Sequence, residues 1–170
     1  MNHIGTSERL IIRLLNLNDA EFILQLLNQK SWLKFIGDKQ IRSLEDAQQY
    51  LIDGPLKMYQ EYGFGLFAVQ RQIDGVLIGI CGLIKRDNLP DVDIGFALLD
   101  EYANCGYAYE AALIIKDYAL KQLNLKRLIA IVNPDNQRSI KLLEKIGLRF
   151  EKQISLSIDK PQLNLMALNA

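Results

Sequence analysis

Between Ala103 and Ala111 the chain reads Ala-Asn-Cys-Gly-Tyr-Ala-Tyr-Glu-Ala, with little side-chain bulk where a strand should turn into a helix. The first turn of a helix leaves N–H groups without internal partners, and the helix dipole adds partial positive charge there. Exposed backbone at such a junction can therefore hold an anion such as a pyrophosphate. Gly106 allows close approach to a ligand, and Ala108 and Ala111 keep the next turn slim. Helix packing alone also produces this pattern. Cys105 offers a thiol, but no histidine neighbours it in sequence, and the single histidine, His3, falls in a terminus expected to be mobile, so no nucleophile–base pair is expected. Downstream, Asn136 and Ser139 stand three residues apart on a predicted helix whose face continues through Ile140 and Leu143. Both polar side chains should then point toward the sheet, where they need partners. A helix cap for Asn136 and a hydroxyl bonding to backbone for Ser139 are the structural alternatives to ligand contacts.

The elements that must position these residues follow from periodicity. Leu10 to Leu14 reads as a strand, and Phe22, Ile23, Leu26 and Leu27 have helical spacing behind a cap at Asn18 or Asp19. Trp32 to Ile41 reads as irregular. Ser43, with Asp46 three residues on, predicts a capped helix to about Asp53, broken at Gly54-Pro55 and resumed briefly to Tyr62-Gly63. Strands are expected at Gly65 to Arg71 and Val76 to Lys85, joined by Asp74-Gly75, and at Val92 to Leu99, forming an antiparallel meander. A long helix from Gly106 to about Leu123 precedes a strand at Arg127 to Val132. A helix from Asn136 to Ile146, stopped by Gly147, leads to closing strands at Phe150 to Ile158 and Leu163 to Leu168. No repeat or linker divides the chain, so residues 1–170 are expected to form a single domain.

Composition narrows the function. With 20 basic and 20 acidic residues the net charge is zero, and the sequence pI is about 6.6, without the basic footprint of a nucleic-acid binder. Two cysteines without CxxC spacing and one histidine rule out a cysteine/histidine zinc site, and no metal is expected. No apolar run approaches the roughly 18 residues of a membrane span, which points to a cytoplasmic protein without a membrane partner.

Gly106 and Ala108 match the last two fixed positions of Arg/Gln-x-x-Gly-x-Gly/Ala, and in this the turn resembles the phosphate-binding junction of the GNAT N-acetyltransferase superfamily. Ala103 stands where that pattern has Arg or Gln. Asn104 stands where the branch of ribosomal-protein N-terminal acetyltransferases has glycine. A second segment, Asn136-Gln137-Arg138-Ser139 followed by Leu142-Leu143-Glu144-Lys145-Ile146-Gly147-Leu148, is similar to that family's Asn-x-x-Ser…Leu-Glu-Lys-x-Gly-Phe stretch. Thr6-Ser7-Glu8-Arg9-Leu10 through Arg13, Gly79-Ile80-Cys81-Gly82-Leu83, Ile36-Gly37-Asp38 and Leu89 to Phe96 extend the resemblance over nearly the whole chain.

The resemblance implies an α/β (α+β) GNAT fold: a mixed, mostly antiparallel sheet of six or seven strands, splayed at the coenzyme cleft, with helices on both faces. It implies acetyl-CoA as coenzyme and an amine acceptor, either a protein N-terminus or a small molecule, handled by a monomer or homodimer. The pantetheine arm would pair like an added strand with Phe96, Ala97, Leu98 and Leu99, and the diphosphate would lie on Asn104, Cys105, Gly106, Tyr107 and Ala108. Asn136 would bind the pantetheine or phosphate region, and Ser139 would hydrogen-bond the leaving thiolate. Asp93, where many relatives carry glutamate, would accept the amine proton directly or through water, given a raised pKa; the alternative is a strand-end carboxylate satisfied by the Pro90 turn. Asp91 is a second candidate. Trp32, Phe35 and Asp38, in a segment overlying the acceptor side, either shape substrate choice or pack as a lid. Two further readings compete: a non-catalytic acyl-CoA-binding sensor, and an antibiotic or polyamine acetyltransferase with an acidic acceptor pocket.

Overall fold

The structure is a computed structural model that describes residues 3–170; Met1 and Asn2 lie outside the described residues. Its centre is one eight-stranded sheet with strands β1 (His3–Thr6), β2 (Leu10–Arg13), β3 (Leu66–Arg71), β4 (Leu77–Ile84), β5 (Asp93–Leu98), β6 (Arg127–Val132), β7 (Arg149–Ile154) and β8 (Leu163–Asn169), ordered β1-β2-β3-β4-β5-β6-β8-β7. The strand beyond the expected six or seven is β1. It places His3 opposite Arg13 on an edge strand, not in a mobile terminus. All neighbours are antiparallel except β5 and β6, which run parallel with one opposed pair, Asp93 and Ile129.

Six helices dress the sheet: α1 (Ala20–Leu27), α2 (Lys30–Phe35), α3 (Leu44–Leu51), α4 (Lys57–Tyr62), α5 (Tyr107–Asp117) and α6 (Gln137–Lys145). Ser43 accepts from the Asp46 N–H and the Asp46 carboxylate reaches back, the capping box read from the sequence. Asp19 is the N-cap of α1, one of the two residues expected there, but it makes no side-chain cap bond to the helix; the capping side chain belongs to Asn16, one turn earlier. Its side chain accepts from the Asn18 N–H and closes a reciprocal box with Asp19, opening a 3₁₀ turn that feeds the helix. Gly54-Pro55 does not break the chain's helix. A π-helical turn over Ile52–Leu56 carries it from α3 into α4, because a wider turn tolerates the N–H that proline lacks. Gly63, at φ +77°, then ends α4. Trp32 to Phe35, the start of the stretch expected to be irregular, belongs to the helix α2.

The apolar core differs on the two faces. On one, α5 contributes Ala111, Ala112 and Ile115 and α6 contributes Leu143 to a continuous core running from Leu10 and Phe67 across to Ala130 and Met166. The small α5 residues let helix and sheet approach closely. On the other face, α1 to α3 cover the β2–β5 half through Ile23, Leu26, Leu51 and Ile80, while Ile129 and Leu165 form a separate small cluster with Leu89. The core on that face is thus interrupted where β5 and β6 separate. Among the described residues, no helix is long and apolar enough to cross a membrane.

Candidate active site

The site begins where hydrogen bonding between β5 and β6 stops. The Ile129 N–H donates to the Val92 carbonyl at 3.1 Å, and no residue pair is opposed beyond Asp93 and Ile129. On the other side of β5, the Leu99 N–H donates to Ile78 at 2.8 Å, and Ala97 lies opposite Ile80. Alternation along the strand therefore turns the backbone of Ala97 and Leu99 toward β4 and that of Phe96 and Leu98 toward the gap. Of the four residues expected to pair with pantetheine, only Phe96 and Leu98 turn their backbone toward the gap. The Leu98 carbonyl is already engaged by Gln29 Nε2 at 3.0 Å, and Gln29 Oε1 accepts from the Asp100 N–H at 2.6 Å. Gln29, between α1 and α2, was not singled out by the sequence. It stands in for a peptide unit and ties α2 to the end of β5.

The turn after β5 has the geometry the sequence suggested. Asn104 (φ +61°) and Gly106 (φ +83°) are both left-handed. Gly106 is the N-cap of α5 and provides no side chain, while its carbonyl accepts the Glu110 N–H at 3.1 Å. No hydrogen bond within the described chain uses the N–H groups of residues 104–109, so Asn104, Cys105, Gly106, Tyr107 and Ala108 present a set of donors. Such an array with exposed glycine fits a diphosphate.

Arg9, at the entry to β2, reaches this turn. Its Nη1 donates to the Cys105 carbonyl at 3.0 Å, its Nε to Glu110 Oε2 at 2.8 Å, and its guanidinium lies 4.3 Å from the Tyr107 ring centroid. A Cβ added at Gly106 would come within 3.2 Å of Arg9 Nη2. Ser7 Oγ also donates to Glu110. Burial raises the pKa of Glu110, but the bonds from Ser7 and Arg9 outweigh it and hold the carboxyl below its ordinary range. Arg9 and Glu110 thus clasp the turn across roughly a hundred residues of sequence, a pairing that local spacing could not reveal. Cys105 Sγ donates to the Ala103 carbonyl at 3.5 Å, and His3 lies on the far edge strand.

Asp93 sits at the closed end of the gap, 2% exposed, with Arg86 Nε donating to its Oδ1 at 3.2 Å. Its partner is an arginine from the β4–β5 loop, not the Pro90 turn. Burial pushes its pKa above the usual aspartate value, opposed by Arg86. Asp91 is engaged elsewhere, accepting from Arg127 Nε at 3.0 Å.

Across the gap, β6 leads into α6. Asn136 Oδ1 accepts the Ser139 N–H at 3.2 Å, so its carbonyl serves as the helix cap. Its amide donors and the half-buried Ser139 hydroxyl engage nothing in the described chain. Of the acceptor-side trio, Trp32 is a core residue, 5% exposed, with its indole N–H buried and unpartnered. Asp38 is turned toward Arg42, 2.5 Å away, and Phe35 packs under Lys34. The trio is not gathered around one point. Two surface hollows, about 420 and 290 Å³, lie beside Tyr50 and beside Arg127, and neither includes Phe96, Gly106 or Ser139.

Residues 9–149 match the family described as acetyltransferase (GNAT) domain. The uncharacterized N-acetyltransferase YnaD of Bacillus subtilis (strain 168) is 30% identical over 146 residues, 86% of this chain and 82% of that protein. Spermidine N(1)-acetyltransferase of Escherichia coli (strain K12) is 24% identical over 144 residues, 84% of this chain and 74% of that protein. The structure of RimL, a ribosomal L7/L12 alpha-N-protein acetyltransferase in complex with coenzyme A, superposes with a TM-score of 0.84. The superposition covers 99% of this chain and 98% of that one at 16% identity, a likeness of fold.

Proposed function

Because the chain belongs to the acetyltransferase (GNAT) family, we propose that it transfers an acetyl group from acetyl-CoA directly to a primary amine, on a protein N-terminus or a small molecule. The observation that carries this reading is the coincidence of two unspent backbone surfaces. One is the N–H array of residues 104–109, and the other is the gap-facing edge of β5 at Phe96. When bound, acetyl-CoA supplies an acetyl group activated as a thioester. The turn at Gly106 holds the diphosphate, and Phe96 orients the arm along β5.

Asp93 then takes the proton from the attacking amine as the N–C bond forms, directly or through water; its raised pKa suits it to hold that proton. Ser139 donates a hydrogen bond to the sulfur as the C–S bond breaks and the thiolate departs. Alignment of amine and thioester supplies the remaining advantage, and no covalent protein intermediate is required.

Two measurements test the reading. Calorimetry with acetyl-CoA should register binding that Gly106→Val abolishes, since valine at φ +83° is strained and its Cβ crowds Arg9. Thiol release across a panel of amines and peptides should then be acceptor-dependent, and Ser139→Ala should slow it about two- to tenfold with coenzyme affinity kept. Ala103 in place of a motif cation motivates the second reading, an acyl-CoA sensor. Tight coenzyme binding without turnover on any acceptor would favour it.

A further inference from the structure

Arg86 uses one of its five N–H donors on Asp93, at 3.2 Å, and its Nη1 and Nη2 groups meet no acceptor in the described chain. The side chain is 32% exposed while its carboxylate partner is 2% exposed, so part of the arginine side chain is reachable from solvent where the proposed base is not. Two more cations come from separate elements. Lys39, between α2 and α3, feels the charges of Arg86 and of Lys160, between β7 and β8. Together with burial, which is the larger cause, this lowers the Lys39 pKa. Tyr50, on α3, is half-buried and feels the Arg86 charge. Burial pushes its phenol up to about 12, so it stays protonated, and its hydroxyl engages nothing in the described chain. Asp38, next to Lys39 in sequence, is committed to Arg42.

Positive charge gathered around Lys39 from Arg86 and Lys160, with Asp93 already paired to Arg86, repels a polyamine and attracts an anion. Arginine presents two parallel N–H donors in the geometry that a carboxylate accepts bidentately. We infer that Arg86, assisted by Lys39 and Lys160, is the receptor for a carboxylate carried by the acceptor close to its amino group, so that the substrate class is an acidic amine. Because Arg86 touches Asp93, a carboxylate held on the fork brings a neighbouring amine to the base. The inference rests on the acetyl-transfer reading for its use, but the carboxylate receptor is measurable by itself.

The test is calorimetric titration of the protein, with and without coenzyme A, using glutamate, its dicarboxamide, a peptide with an N-terminal glutamate, the matching N-terminal glutamine peptide, and spermidine. The acid members should bind about ten- to a hundredfold more tightly than their amides, the range a charge-assisted bond supplies. Free glutamate preferred over the peptide identifies a small-molecule source, and the reverse identifies a protein N-terminus. Arg86→Lys keeps a positive charge beside Asp93 and should retain the fold while losing most of the preference. Lys160→Ala, on an exposed turn, should lose a smaller part and serves if Arg86 variants do not fold. Equal affinity for acids and amides, or tighter binding of spermidine, overturns the proposal. Carboxylate selectivity without coenzyme A binding would leave it standing and remove the acetyl-transfer reading instead.

Discussion

A buried aspartate beside a single arginine is pulled two ways, and at Asp93 desolvation wins, leaving its pKa above the ordinary value. The folded state therefore binds this proton more tightly than the unfolded chain does. The group favours folding at acid pH, and that contribution is lost as pH rises from the ordinary aspartate value through the raised one. Activity should run the other way, because only the ionised form accepts a proton. We expect kcat to fall on the acid side with a limb set above the usual aspartate range. Asp93→Asn should lower kcat about 10²- to 10⁴-fold and remove that limb while circular dichroism stays unchanged. A limb that survives in the variant would place the base elsewhere. Asp93 was legible as a strand-end carboxylate of the right type. Arg86 was not, since it meets Asp93 across a loop and no periodicity connects them.

At the scale of elements, the clasp between the entry to β2 and the first turn of α5 matters most. Arg9 holds the Cys105 carbonyl and the Glu110 carboxylate together, so it pins the turn from behind while the N–H groups remain free. Arg9→Ala should weaken coenzyme binding about tenfold, the scale of one charge-assisted bond, with a smaller change in kcat. Glu110 has a lowered pKa, so the clasp is complete above the ordinary glutamate value and is lost as pH falls through the lowered one. Coenzyme affinity should weaken over that window in the native chain, and Glu110→Gln should flatten the dependence. Calorimetry at stepped pH reads both, and an unchanged profile in Glu110→Gln would sink the role given to the clasp. Most elements were readable because their apolar spacing and caps agree, as at Ser43 and Gly147. The exceptions have local physical causes. β1 is four residues long with glycine inside it, too short for alternation to show, and its pairing with β2 is tertiary. Pro55 reads as a breaker, and only the π turn in the structure reveals how the helix absorbs it.

Across the whole molecule, the two halves of the sheet meet at one opposed pair, Asp93 and Ile129, yet share a continuous core under α5 and α6. On the opposite face the apolar clusters are separate, which opens the gap toward α1 to α3 and exposes the edge of β5. This asymmetry lets a rigid scaffold carry unpaired backbone, because packing on one face replaces the missing ladder. The resemblance to known sequences implied the splay; the unequal faces could not be read from it, since they depend on which elements cover which half. Hydrogen exchange should therefore separate neighbours on one strand. Without coenzyme, the Leu99 amide, bonded to Ile78, should exchange slowly, and the Phe96 amide, facing the gap, much faster. At coenzyme concentrations near a hundred times Kd, stabilisation of about 2.7 kcal/mol should appear as a rise in Tm. Protection should increase most at Phe96 and across residues 104–108, with little change on β7. Uniform protection along β5 in the absence of coenzyme would mean that the gap closes in solution, and the added-strand placement of the arm would then have no edge to use.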